Sequence, residues 1–126
     1  MKKEELDEYL NSIGGLINGW NTKDKSIVNS YYFDCGSGWY SLIHSLISDL
    51  IELGWDKQIT QVKEKFGGLR FYINSGSEEI YNRIMEAENE SYNICETCGI
   101  NGKIRTDIGW FRTLCEEHYM EIKQKK

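Results

Sequence analysis

Apolar residues recur at helical spacing twice in the first half of the chain. Between Lys3 and Ile17 the residues Leu6, Tyr9, Leu10, Ile13, Leu16 and Ile17 fall on one face, with acids gathered early, and this predicts a first helix over that span. The second stripe, Trp39, Leu42, Ile43, Leu46, Ile47, Leu50 and Leu53, predicts a helix from about Trp39 to Leu53 that stops at Gly54, with Ser37 as its N-cap. Between them, Asn18 to Ser30 is polar and reads as a connection, Val28 to Phe33 as a short extended stretch, and Asp34 to Gly38 as a loop.

The period then changes from helical to alternating. Gln58 to Lys65 and Leu69 to Asn74 flank Gly67-Gly68, a glycine pair suited to a two-residue hairpin turn. With Phe66 facing Leu69, one face carries Val62, Phe66, Leu69, Phe71 and Ile73 and packs on the helices. The other carries Gln61, Lys63, Lys65, Arg70, Tyr72 and Asn74. In that register Lys65 lies opposite Arg70, which destabilises the ladder unless an anion sits between them. Glu64 falls on the apolar face, so either it pairs with something buried or the register shifts by one. Beyond the hairpin, Ser77 caps a third helix with Glu78 and Glu79 in its first turn, running to about Tyr92 with Ile80, Tyr81, Ile84, Met85, Ala87 and Glu88 on one face. Helix, helix, hairpin, helix predicts an α+β core over residues 1–94, its helices packed on a small antiparallel β-hairpin sheet.

The last third carries the strongest chemical signal. Cys95 and Cys98 in CETCG, then Cys115 and His118 in TLCEEH, are two short ligand pairs one hairpin apart. Zinc takes four thiolate or imidazole donors in a tetrahedron, and each tight pair points two donors at one ion. Four protein ligands leave no open position, so the zinc is read as structural. Gly102 to Arg105 and Trp110 to Leu114 predict two short strands around Thr106 to Gly109, followed by a helix over Glu116 to Lys123. Knuckle, hairpin and helix in this order resemble the treble-clef arrangement, giving a zinc-finger lobe at residues 95–126. Chelation is expected to unravel that lobe first.

Composition narrows the function classes. The chain has 126 residues, 40% hydrophobic, with net charge −5 and no proline, enough to bury one real core. No run approaches the roughly 18 apolar residues of a membrane span. The acidic balance argues against general nucleic-acid binding, for which the candidates are Lys103, Arg105, Arg112 and the C-terminal lysines. The opening MKKEELDEYL lacks an apolar signal segment, so reduced cysteines in the cytoplasm are expected.

The segments DCGSGWYSLIHSL, QVKEKFGGLRFYI, CETCG and WFRTLCEEH together resemble a family of small uncharacterised bacterial and phage proteins with glycine-tryptophan-tyrosine, KEKFGGLRFY and CxxC/CxxH motifs. The resemblance spans about residues 34 to 118, with Ser41 standing where the family pattern has proline. It implies no established activity.

Three function classes follow from the residues. Cys35 and His44 have the parts of a thiol nucleophile and its base, but no orienting group or oxyanion loop accompanies them, and both read more simply as structural residues. The leading expectation is a non-enzymatic zinc protein that docks on a protein partner, with Trp39, Tyr40 and Trp110 as interface candidates. The resemblance extends this to a phage-encoded inhibitor of a host protein, a defence protein included. The alternative is a module that binds a nucleotide or other anionic small molecule through Lys63, Lys65, Arg70 and Tyr72.

Overall fold

A computed structural model describes residues 1–17 and 32–124. The connection expected at Asn18 to Ser30, Trp20 included, and the start of the stretch expected at Val28 to Phe33 lie outside the described residues, as do Lys125 and Lys126.

Among the described residues the fold is α+β, with four α-helices and two small sheets. Helix α1 (Lys3–Ile13) is shorter than its apolar period suggested. Gly14 ends it at φ 73°, a left-handed conformation that glycine adopts without a Cβ clash, and the Gly15 N–H turns back to the Leu10 carbonyl. Leu16 and Ile17 therefore leave the helix as strand β1 and pair in parallel with Gln58 and Ile59 of β2 (Gln58–Lys65). Strand β3 (Gly68–Ile73) runs antiparallel on the far side of β2, completing a three-stranded sheet in the order β1-β2-β3.

The hairpin turn sits one residue earlier than the glycine pair implied. Phe66 and Gly67 are its two central residues at φ 54° and 86°, and positive φ at both is the mark of a type I′ turn. The register moves with it: Lys63 faces Arg70, Glu64 faces Leu69 and Lys65 faces Gly68. Phe66 thus leaves the apolar face and is 65% exposed, at a backbone conformation that costs a non-glycine residue roughly 1–2 kcal/mol. Gly68 is reserved for packing, because a Cβ there would lie 2.5 Å from the Tyr92 ring. Glu64 does stay on the inner face, where its carboxylate accepts the Gly67 N–H at 2.7 Å and ties the turn.

A short 3₁₀ turn (Ser37–Trp39) leads into α2 (Tyr40–Glu52). Ser37 makes no side-chain cap to α2. The backbone of the C-terminal lobe holds this turn instead, the Gly38 N–H donating to the Glu96 carbonyl at 2.7 Å. Ser41 lies in the first turn of α2, a place where proline is equally at home. Trp39 and Tyr40, expected at an interface, are core residues. Trp39 is fully buried with its indole N–H on the Ile94 carbonyl at 2.9 Å, and Tyr40 packs on Phe33. An amphipathic tryptophan can go this deep because its one polar atom finds a partner. Leu6, Leu10, Trp39, Ile43, Leu46, Ile47, Leu50, Ile59, Val62 and Leu69 form the main core.

Helix α3 (Glu78–Ser91) starts at the expected cap, Ser77 Oγ accepting the Ile80 N–H. It closes the outer edge of β3: the Leu69 N–H donates to Ser91 Oγ at 2.9 Å, and that hydroxyl donates to the Glu88 carbonyl. On the other edge, Asp34 bridges β2 at Lys63. Ser91 is fully buried, so Ser91→Ala strands the Leu69 N–H and is expected to lower stability by about 1–3 kcal/mol, read as an earlier urea midpoint at unchanged slope.

Strands β4 (Lys103–Arg105) and β5 (Arg112–Leu114) and helix α4 (Glu116–Gln124) build the C-terminal lobe around a second, smaller core of Cys95, Ile108, Leu114 and Cys115.

Candidate metal centre

The four expected ligands converge. Cys95 and Cys98 sit on a tight knuckle between α3 and β4, held by the Gly99 N–H on the Cys95 carbonyl and the Cys95 N–H on the Ile100 carbonyl. Gly99 takes φ 86° at the turn. Cys115 directly follows β5, and His118 lies one turn later on α4, whose Tyr119 N–H bonds the Cys115 carbonyl. All four donor atoms lie within 4.8 Å of one another.

The spacing tests whether a metal fits. Zinc bonds of about 2.3 Å to sulfur and about 2.0 Å to nitrogen give a tetrahedron with edges of about 3.5–3.8 Å. Cys98 Sγ to Cys115 Sγ is 3.8 Å and Cys95 Sγ to His118 Nδ1 is 3.6 Å, while Cys115 Sγ to His118 Nδ1 is shorter at 3.2 Å. These separations match the edges of such a polyhedron and are too long for a disulfide, and all four cysteines are free. The residues present fit a bound metal.

The two knuckle cysteines differ electrostatically, and only Cys95 is drawn toward thiolate. Burial opposes charge on Cys95, but backbone N–H groups of Cys115, Cys98 and Thr97 outweigh it and bring its thiol down to about 6. At Cys98 the Ile100 N–H favours the thiolate, yet burial and the neighbouring Cys95 and Cys115 sulfurs push its thiol up. Crowded sulfurs of this kind are what a cation relieves.

The knuckle is also fastened to the core, through a residue that sequence reasoning passed over. Glu96, between the first two ligands, is buried; its Oε2 accepts the Gly36 N–H at 2.8 Å, and Arg112 lies 3.9 Å from its Oε1. A single carboxylate inside a CxxC loop carries no periodic signal, and its partner is sixty positions away. Burial raises the pKa of Glu96, the Gly36 N–H and Arg112 lower it, and Glu64 and Asp34 raise it, with a net upward shift. The glycines of the GSG loop permit the contact: a Cβ on Gly38 would stand 2.1 Å from the Cys95 carbonyl oxygen, and one on Gly36 would stand 2.3 Å from the Glu96 carbonyl oxygen.

The other candidates are placed differently. Lys63, Arg70 and Tyr72 share the outer face of the hairpin as expected, but Arg70 Nη1 lies 2.6 Å from Glu88 Oε2 and so already has an anionic partner within the chain. Lys65 extends over the Phe66 ring at 5.6 Å. Cys35 is half-buried, and burial, followed by Glu96, Asp34 and Glu64, pushes its thiol up to about 12, the opposite of an activated nucleophile. The His44 ring packs on Tyr9 at 4.1 Å between centroids. In the lobe, Arg105 is buried, donating to the Leu114 carbonyl and lying over the Tyr119 ring, so its charge is used internally. Trp110 is 53% exposed.

Compared with protein-family models, curated proteins and solved structures, the chain has no match.

Proposed function

We propose that this chain is a zinc protein without catalytic activity that acts by docking on a protein partner. Zinc is the metal favoured by a donor set of three thiolates and one imidazole at tetrahedral spacing. When bound it supplies cross-linking of the knuckle to α4 rather than reactivity, since four protein donors complete its shell.

The observation that carries the docking reading is the balance of the C-terminal lobe. It encloses a core of four residues, yet turns Ile100, Ile104, Trp110 and Phe111 outward. Large apolar side chains on a rigid frame are the usual anchors of a protein interface. The neutral Cys35 thiol and the packed His44 support a role without catalysis. A nucleotide at the hairpin face has less support, because Glu88 already occupies Arg70. Following the resemblance to bacterial and phage proteins, the partner is a host protein, a defence protein included, whose action docking blocks.

Two measurements test this together. Native mass spectrometry is expected to find one zinc per chain. A photo-crosslinking amino acid at Ile100, compared in bacterial cells with one at the exposed Tyr81 of α3, is expected to trap a discrete protein from the lobe only. Absence of any adduct from the lobe, with zinc still bound, overturns the docking reading.

A further inference from the structure

The tip of the core hairpin and the hairpin of the zinc lobe meet at Gly67. Thr113 Oγ1 donates to the Gly67 carbonyl at 2.6 Å, and a Cβ on Gly67 would lie 3.1 Å from Ile104 Cδ1 and 3.5 Å from the Arg112 backbone nitrogen. Phe66 precedes Gly67, and Trp110-Phe111 precede Arg112. Four exposed apolar side chains, Phe66, Ile104, Trp110 and Phe111, are therefore brought around one junction by two distant segments.

Phe66 is the informative member. Asparagine or glycine would satisfy its position in the turn with less strain. Instead a large aromatic ring is held at φ 54° and turned largely to solvent, where little burial offsets the conformational penalty. Strain of this kind persists where the surroundings enforce it, and it concentrates at ligand clamps.

Charge identifies the partner. Residues 63–72 and 100–112 together carry six basic and two acidic side chains, against nine basic and eighteen acidic in the rest of the chain. Three of the six are paired within the chain, Arg70 with Glu88, Arg105 with Glu116 and Arg112 with Glu96, while Glu64 accepts the Gly67 N–H and Asp107 meets the Tyr119 hydroxyl and Lys123, so the charge offered outward here is that of the lysines. Lys65 and Lys103 remain exposed. A basic locale on an otherwise acidic chain attracts a short acidic segment while the remainder repels an extended polyanion. A second copy meeting this face two-fold would set basic against basic.

We infer that Phe66, Ile104, Trp110 and Phe111, with Lys65 and Lys103, form a docking surface for an acidic segment of a partner protein that carries apolar anchors. This rests on the docking reading above and adds its place and chemistry.

The test uses the zinc-loaded chain and three labelled probes: a short peptide alternating glutamate with phenylalanine, its lysine counterpart, and an oligothymidylate of matched length. The acidic peptide is expected to bind at least about tenfold more tightly than either other probe, with amide shifts at Phe66, Ile104 and Trp110. Phe66→Asn is expected to weaken binding about tenfold while leaving the thermal midpoint unchanged or raised, an outcome a folding role would not give. Joint reversal of Lys65 and Lys103 to glutamate is expected to transfer preference to the lysine peptide. The proposal is overturned by tighter binding of the oligothymidylate, by a dimer in sedimentation that buries this face, or by a lower thermal midpoint for Phe66→Asn. Shifts confined to Lys63, Arg70 and Tyr72 overturn the location, and no peptide binding overturns the chemistry; in either case an Ile100 adduct leaves the docking reading standing.

Discussion

Stripped of metal by a strong chelator, the protein is expected to lose the lobe over residues 95–124 and, with it, the fixed surroundings of Trp39. Structural zinc contributes about 10–16 kcal/mol of folding free energy in isolated finger peptides, as much as or more than the whole stability of an ordinary domain. Among the described residues the buried core of the lobe is Cys95, Ile108, Leu114 and Cys115, two of them ligands, with Tyr119 and Ile122 partly buried against it, so little remains once the ion is gone. The damage then passes inward. The Trp39 indole N–H is bonded to the Ile94 carbonyl, and the turn before α2 to the backbone of Glu96, both at the root of the knuckle. Chelation should therefore red-shift tryptophan emission and lower near-ultraviolet dichroism while much of the far-ultraviolet helical signal survives. Cys115→Ala should reproduce it without chelator. Unchanged emission after complete zinc loss would mean that core and lobe are independent.

The second large effect is expected from Gly38→Ala, a substitution that touches no ligand. The added Cβ would stand 2.1 Å from the Cys95 carbonyl oxygen and 2.6 Å from the Glu96 carbonyl carbon. Both neighbours are backbone, so relief requires the knuckle to move off α2 rather than a side chain to swing away. A loss of about 3 kcal/mol or more is expected from this overpacking, together with weaker zinc retention in a competition assay. Gly54→Ala is the control. It sits at φ 90° with open space around its missing Cβ, so only backbone strain of about 1–2 kcal/mol is expected there, with zinc retention unaltered. Equal effects of the two on zinc would sever the link between the GSG loop and the metal.

These two cases also mark how far the sequence could be read. The metal ligands were legible because coordination chemistry fixes both residue type and spacing, and α2 and α3 because a helical stripe repeats over many residues. The register of the hairpin was not. A glycine pair advertises a turn, but Gly68 is glycine to admit the Tyr92 ring, a tertiary demand that looks the same as turn chemistry in one dimension. Phe66 defied reading for the reverse reason: nothing in phenylalanine's propensity suggests a left-handed turn residue. Strand β1 is two residues long and was absorbed into a helical period that Gly14 cuts short. Trp39 and Tyr40 belonged to the buried stripe, yet their aromatic bulk also suggested a surface; depth was decided by the Ile94 carbonyl that receives the indole.

The clasp between the GSG loop and the knuckle has a consequence for how the protein is made. Gly36 and Trp39 take their partners from residues sixty and fifty-five positions later in the chain. Contacts so remote in sequence form late, and during synthesis the second half does not yet exist. A growing chain therefore holds the Gly36 N–H and the Trp39 indole without their native partners until the knuckle has emerged, so this corner of the core is the last to close.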